Sequence, residues 1–238
     1  MSRPRLPNAM MPSVPYETRY WYLRNHKLFA ALDRDEMQEI CLISNFKTAR
    51  KGDILYFSQN EDLTRIFTLK HGVLKIVEVD EEGRETVKDI LQQGDLFGQI
   101  TLDDRPTDEY AVAVTDYVTV CSFKISDFEN VLARNPSLAI GFTKLVGLRL
   151  KRLENRYANL MFKDVRARFL LFLKEWAARE APNQRQNVTL KNYLTHQDIA
   201  SLICSTRQTV NQLFSECRQA GLLDYDRTTL TIGDVGRL

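Results

Sequence analysis

LTHQDIASLICSTRQTVNQLFSEC, residues 194–217, is the stretch that decides the fold. Apolar Ile199, Leu202, Ile203, Val210 and Leu213 recur at the spacing that packs two short helices across a tight turn. The second helix is read as carrying Ser205, Thr206, Arg207, Gln208, Thr209, Asn211 and Gln212. Those side chains suit a DNA major groove. Arg donates to both acceptors of a guanine edge, Gln pairs bidentately with adenine, and short hydroxyls reach phosphate oxygens. An ordinary helical hairpin with a polar outer face fits the same letters. The next residues favour DNA. Gly221 reads as a helix stop, and LLDYD, a short RTT turn and LTI read as a β-hairpin. A helix-turn-helix followed by a hairpin is a winged helix, which places a DNA-binding domain at 164–238.

Composition bounds the rest. The 238 residues can hold one large or two modest domains, and 44% hydrophobic content is enough to build their cores. A net charge of +2 is too mild to announce nucleic-acid binding, so any basic surface must be local. Arg149, Lys151, Arg152, Arg156, Lys163, Arg166 and Arg168 form such a cluster, either as a solvated helix face or partly facing phosphate. Cys41, Cys121, Cys204 and Cys217 lack CxxC spacing and read as reduced thiols, and His26, His71 and His196 lie too far apart in sequence to suggest a metal set. No cofactor or metal is expected. With no apolar run of about 18 residues and no visible signal peptide, a cytoplasmic protein is expected. No Ser/His/Asp set, paired catalytic carboxylates or GxxxxGK[ST] loop is legible, so the chain does not read as an enzyme.

Working outward, Pro4, Pro7, Pro12 and Pro15 mark residues 1–15 as a flexible arm. Residues 16–44 read as helical pieces, with Asp33 an N-cap before DEMQEICLI. From Asn45 to Ile125, short alternating strands are punctuated by Gly52, Gly72, Gly83, Gly94 and Gly98, the pattern of a β-sandwich or roll, and 16–135 becomes a sensor domain. Gly94-Asp95-Leu96-Phe97-Gly98 suggests either a strand-to-helix corner able to hold a phosphate or a plain structural turn. Pro136 opens a long helix in which Val146, Leu150, Leu153, Tyr157 and Leu160 follow a heptad spacing. This reads as a dimerisation helix and hinge over 136–163, the competing reading being a seam packed on the chain's own roll. Asp164 caps the helix that follows.

The ordered set RKGD…HG…QGDLFGQ, a long apolar-seamed helix, FKDV, and LTHQDIASLICSTRQTV resembles the cyclic-AMP receptor protein and fumarate-nitrate regulator (CRP/FNR) family of bacterial transcription factors. The resemblance covers about residues 20–235. It implies an α+β fold: an N-terminal cyclic-nucleotide-binding-like β-roll, a dimerisation helix and a C-terminal winged helix-turn-helix. The implied partners are double-stranded DNA, a second copy of the chain and RNA polymerase, with the loop at Pro182–Gln186 a weak candidate for the last contact.

The resemblance also shows departures at the effector-pocket candidates Gly98, Gln99, Ile100, Glu109, Tyr110, Leu153 and Glu154. Cyclic-AMP members carry Phe-Gly-Glu and, later, Arg-Ser-Ala. Here the matching residues are Phe97-Gly98-Gln99 and Glu109-Tyr110-Ala111, and the adenine-contacting Thr-Ser pair is matched by Leu153 and Glu154. A carboxylate in place of the phosphate-pairing Arg opposes an anionic ligand. Control by cyclic AMP is therefore not expected. The iron–sulfur members' N-terminal cysteine cluster and the haem-bound carbon monoxide sensors' His after Gly98 are also missing. The roll either takes an unknown small-molecule effector or only supports the dimer.

In the family's recognition helix an Arg-Glu-Thr-Val run, then Arg, reads each half-site. Here Arg207-Gln208-Thr209-Val210 and Gln212 imply a kept guanine contact and an altered half-site. Ser205, Thr206 and Thr209 are assigned to phosphates. Cys204 stands where the turn usually has Gly, so an altered turn geometry is expected. The alternative function is a ligand-sensing module whose C-terminal helices bind a protein.

Overall fold

The structure, a computed structural model, describes residues 15–30, 32–56, 65–98 and 108–238. The expected arm lies outside the described residues except for Pro15. The chain divides into two compact units between Leu148 and Arg149, a point inside its longest helix.

The first unit opens with α1 (Tyr16–Arg24) and α2 (Arg34–Ile43). Asp33 starts α2 through a capping box: its carboxylate accepts from the Glu36 N–H at 2.9 Å, and Glu36 accepts from the Asp33 N–H at 2.8 Å. The strands are β1 (Asn45–Ala49), β2 (Ile54–Tyr56), β3 (Arg65–His71), β4 (Leu74–Val79), β5 (Glu85–Leu91), β6 (Leu96–Phe97), β7 (Glu109–Ala113) and β8 (Val118–Lys124). They pair antiparallel in two sheets, ordered β1-β8-β3-β6 and β2-β7-β4-β5. Two helices follow, α3 (Ile125–Arg134) and α4 (Pro136–Phe162).

Strand alternation sorts the side chains into two cores. Phe67, Leu69, Leu74, Ile76, Phe97, Ala111, Ala113, Val118 and Val120 pack inside the roll. Ile66, Cys121 and Phe123 face the other way, onto Leu23, Phe29, Met37, Ile40, Phe128 and Val131 of the helical segments. Phe29, wholly buried, lies 5.7 Å from Phe123 ring to ring; truncating such a side chain to Ala costs about 3–5 kcal/mol.

The Gly94-Asp95 corner joins β5 to β6, so it runs from strand to strand, correcting the expected strand-to-helix corner. Its backbone is engaged internally: the Gly94 N–H donates to the Leu69 carbonyl at 2.8 Å and the Asp95 N–H to the Gln92 carbonyl at 3.0 Å. Those two donors build a structural turn and leave nothing there for a phosphate.

The second unit begins at Arg149 in α4. After α4 come α5 (Val165–Glu180), β9 (Gln186–Lys191), α6 (His196–Leu202), α7 (Arg207–Gln219), β10 (Leu223–Tyr225) and β11 (Thr229–Asp234). Asp164 caps α5 as expected, accepting from the Ala167 N–H at 2.7 Å. The hairpin β10–β11 is extended by β9 into a three-stranded sheet, ordered β10-β11-β9. That third strand was not read from the sequence. Val188 and Leu190 are buried against Leu230 and Ile232, completing a core with Phe169, Leu173, Ile199, Val210 and Phe214.

All four cysteines are free, with Cys41, Cys121 and Cys217 buried and Cys204 exposed. Among the described residues no helix is long and apolar enough to cross a membrane.

Candidate nucleic-acid interface

Helix α6 starts on a reciprocal cap: Thr195 Oγ1 accepts from the Asp198 N–H at 3.1 Å while Asp198 Oδ2 accepts from the Thr195 N–H at 2.8 Å. The helix ends after two turns. Cys204 takes a left-handed φ of +52°, and the Ser205 N–H closes the turn on the Ala200 carbonyl at 2.9 Å. This is the altered turn chemistry expected of Cys204: a residue with a Cβ holds a conformation in which glycine is unstrained.

Thr206 caps α7, accepting from the Thr209 N–H at 3.1 Å, and its hydroxyl lies 2.9 Å from that of Thr209. Ser205 and Thr206 therefore precede the recognition helix, correcting their expected place on it: Ser205 lies in the turn and Thr206 is the cap. Buried Val210, Leu213, Phe214 and Cys217 fix the inner face of α7. Arg207, Gln208, Asn211 and Gln212 consequently share the exposed face, with Ser215 on the same stripe, a position the sequence reading missed. Among the described residues, no side-chain hydrogen bond or ion pair holds Arg207 or Gln208.

The other polar residues of this face are held. Gln212 Nε2 donates to Glu216 Oε1 at 2.9 Å, and Glu216 Oε2 takes Arg166 at 2.5 Å. Asn211 Oδ1 meets His196 Nδ1. The His196 ring stacks on Phe214 at 4.6 Å and 7°, and lies 5.8 Å from Tyr225. Arg218 sits 4.1 Å over the Tyr225 ring and pairs with Asp224 at 2.7 Å, joining α7 to the wing. At the wing turn Asp226 accepts from the Thr228 and Thr229 N–H groups and hydroxyls, and these bonds pull its carboxyl down to about 2.

Two members of the basic cluster have structural partners. Arg168 donates to the carbonyls of Ile203 at 2.9 Å, Lys163 at 2.7 Å and Cys204 at 3.2 Å. Its guanidinium thus buttresses the turn between α6 and α7, while Arg166 braces Glu216. The sequence offered only a choice between solvent and phosphate. Both partners come from within the domain.

In the first unit, Gly98 closes β6 at φ +103°, where a Cβ would meet the Arg65 carbonyl at 2.8 Å. Gln99 and Ile100 lie outside the described residues. Glu109 and Tyr110 lie on β7, with Glu109 on the face that Ala111 and Ala113 turn into the roll. The Glu109 carboxylate is paired with Lys88, which also meets Glu78 at 3.4 Å. Burial opposes the Lys88 charge, but these carboxylates outweigh it and hold the ammonium above the usual lysine range. Leu153 and Glu154 stand on the exposed part of α4 in the second unit. Along α4, Val146, Leu150, Leu153, Tyr157 and Leu160 are exposed, Tyr157 to 66%. Ile140, Leu148, Met161 and Phe162 add to that apolar surface without having been anticipated. No group of His, Cys, Asp and Glu able to hold a metal is found among the described residues.

Two family descriptions match the chain: a cyclic nucleotide-binding domain over residues 46–135 and a Crp-like helix-turn-helix domain over residues 167–238. A CRP-like cAMP-activated global transcriptional regulator of Mycobacterium tuberculosis is 26% identical over 183 residues, 76% of this chain and 81% of the relative. A global nitrogen regulator of Nostoc is 27% identical over 189 residues, 78% of this chain and 84% of the relative. Among solved structures, a CooA mutant from Carboxydothermus hydrogenoformans superposes with a TM-score of 0.70 at 26% identity, covering 90% of this chain and 95% of that one. Two matched domains in the expected order, a winged helix with an exposed polar stripe and relatives that are transcription regulators agree: the chain belongs to the CRP/FNR family of DNA-binding transcription regulators.

Proposed function

We propose that this regulator acts as a homodimer on a two-fold symmetric promoter site and does so without cyclic AMP. The observation that carries the reading is the exposed stripe of Arg207, Gln208, Asn211 and Gln212 on α7, held out by a fully packed inner face. In this reading Arg207 donates to a guanine edge in each half-site and Gln208 favours adenine. Ser205, Thr206 and Thr209 contact phosphates from the helix start. The apolar side chains of α4, from Val146 to Leu160, meet their counterparts on a second copy. Two recognition helices related by a two-fold axis then read half-sites about one helical turn apart, roughly 10 base pairs centre to centre. RNA polymerase is the proposed downstream partner.

Independence from cyclic AMP rests on Glu109. A carboxylate already engaged by Lys88 stands on the inward face of β7, where an incoming cyclic phosphate would meet it.

Selection of bound DNA from a random pool, with purified protein and no added ligand, tests the whole reading. A symmetric motif with a guanine in each half is expected, with affinity falling steeply as salt rises. An asymmetric motif removes the dimer reading. Recovery only after small-molecule extract is added removes effector independence.

A further inference from the structure

The recognition helix carries two neighbouring amides whose orientations are set from opposite ends. Asn211 is held by its carbonyl oxygen, which faces His196 Nδ1. Gln212 is held by its nitrogen, which donates to Glu216 Oε1 at 2.9 Å. A carbonyl oxygen can only accept, so the His196 nitrogen facing Asn211 must carry the proton. The imidazole has little freedom to turn away. It stacks on buried Phe214 at 4.6 Å and 7°, lies 5.8 Å from Tyr225, and belongs to the first residue of α6, just after the Thr195–Asp198 cap.

We infer that His196 is a positioning residue that fixes the hydrogen-bond polarity of Asn211, turning its amide N–H groups outward to the base edge. The inference deepens the DNA-reading proposal and rests on it. With its oxygen engaged, Asn211 presents donors. In the major groove these match the N7 and O6 acceptors of guanine or the O4 acceptor of thymine. The bidentate pairing of asparagine with adenine needs the amide's oxygen as well as its nitrogen, and His196 withholds that oxygen. Gln212 carries the opposite instruction: its nitrogen faces Glu216, so its oxygen is left to accept from the amino group of cytosine or adenine. Histidine and glutamate thus assign complementary roles to two side chains that sequence alone treats as equivalent.

The test is base selection by the full-length protein and its His196→Phe variant. Phenylalanine keeps the ring stacked on Phe214 and beside Tyr225 but deletes the donor. The wild-type protein is expected to favour guanine or thymine at the base pair facing Asn211. In His196→Phe the freed amide gains adenine, with the adenine-to-guanine ratio at that position rising about fivefold or more, the lower end of what one bidentate contact discriminates. Preference at the position read by Arg207 stays unchanged. In an Asn211→Ala background, His196→Phe should alter nothing at that base pair. An unchanged base profile in His196→Phe overturns the inference, whether binding is unimpaired or uniformly weakened, because a purely structural histidine would lower affinity for all sequences alike.

A measurement without DNA separates this inference from the broader reading. Nitrogen-15 spectra of the selectively labelled imidazole should show the His196 proton on Nδ1. A proton on Nε2 alone, with Nδ1 bare, overturns the positioning role even if DNA binding is confirmed. If the wild-type protein selects no DNA, the proposed function fails and the tautomer measurement still decides whether His196 holds Asn211.

Discussion

Arg207 stands exposed at the first position of α7, one residue after a cap that leaves its side chain unobstructed. Replacing it with Ala should remove about 1–3 kcal/mol of base discrimination from each half-site while leaving phosphate contacts intact. Competition binding should show specific affinity falling towards that for random DNA, with the random-DNA affinity largely kept. Equal losses on both would rule out a base-reading role. A second residue-scale consequence concerns His26, 6% exposed, whose Nδ1 accepts from the Leu28 N–H at 3.2 Å. Burial, reinforced by Lys70, lowers its pKa from 6.5 to about 4, against the smaller opposing effects of the Gly94 carbonyl and Asp95. The unfolded chain takes up a proton in this window that the folded chain refuses. The associated stability is complete above pH 6.5 and is lost as pH falls through 4, a total of about 3 kcal/mol. Urea unfolding at pH 7 and pH 4 should show that much more acid sensitivity in the wild-type protein than in His26→Asn. The exposed face of α7 was legible because residue type and helical period agree at Arg207, Gln208, Asn211 and Gln212. The structural partners of Arg166 and Arg168 were not. Arg168 binds backbone carbonyls of Ile203 and Cys204, far along the chain, and a backbone acceptor leaves no mark in residue identity.

At the scale of elements, α4 runs 27 residues, long for a helix of a small domain, and exposes the apolar positions that its heptad spacing singled out. A Leu150→Glu/Leu153→Glu pair should place like charges along the seam and keep the chain monomeric at concentrations where the wild-type protein is dimeric. Sedimentation velocity reads the difference directly, and a dimer that survives the pair would locate the interface elsewhere. Capped helices were the most readable elements, since Asp33 and Asp164 each precede a helical apolar pattern and accept the N–H bonds expected of them. Strand β9 escaped because only Val188 and Leu190 alternate within it, too short a run to stand out beside the Pro182 loop. Its pairing with β11 is a tertiary fact.

At the scale of the whole molecule, two domains with separate cores are joined through one helix, so the fold of each was readable separately. The roll retains its packed interior while Glu109 and Tyr110 stand where the family resemblance places ligand-contacting Arg and Ser. A ligand stabilises the state it binds by RT ln(1 + [L]/Kd), so cyclic AMP at 1 mM should leave the thermal midpoint of the full chain unmoved. A rise of several degrees would restore the nucleotide to this roll. The distribution of thiols has a practical sequel. Burial raises the thiol pKa of Cys41 and Cys217 and pushes Cys121 up to about 12, whereas Cys204 sits in the open at the turn between α6 and α7. The unmodified protein therefore comes with a single fast-reacting handle at the edge of its DNA-reading surface. A maleimide dye placed there would turn every encounter with a promoter into an optical signal.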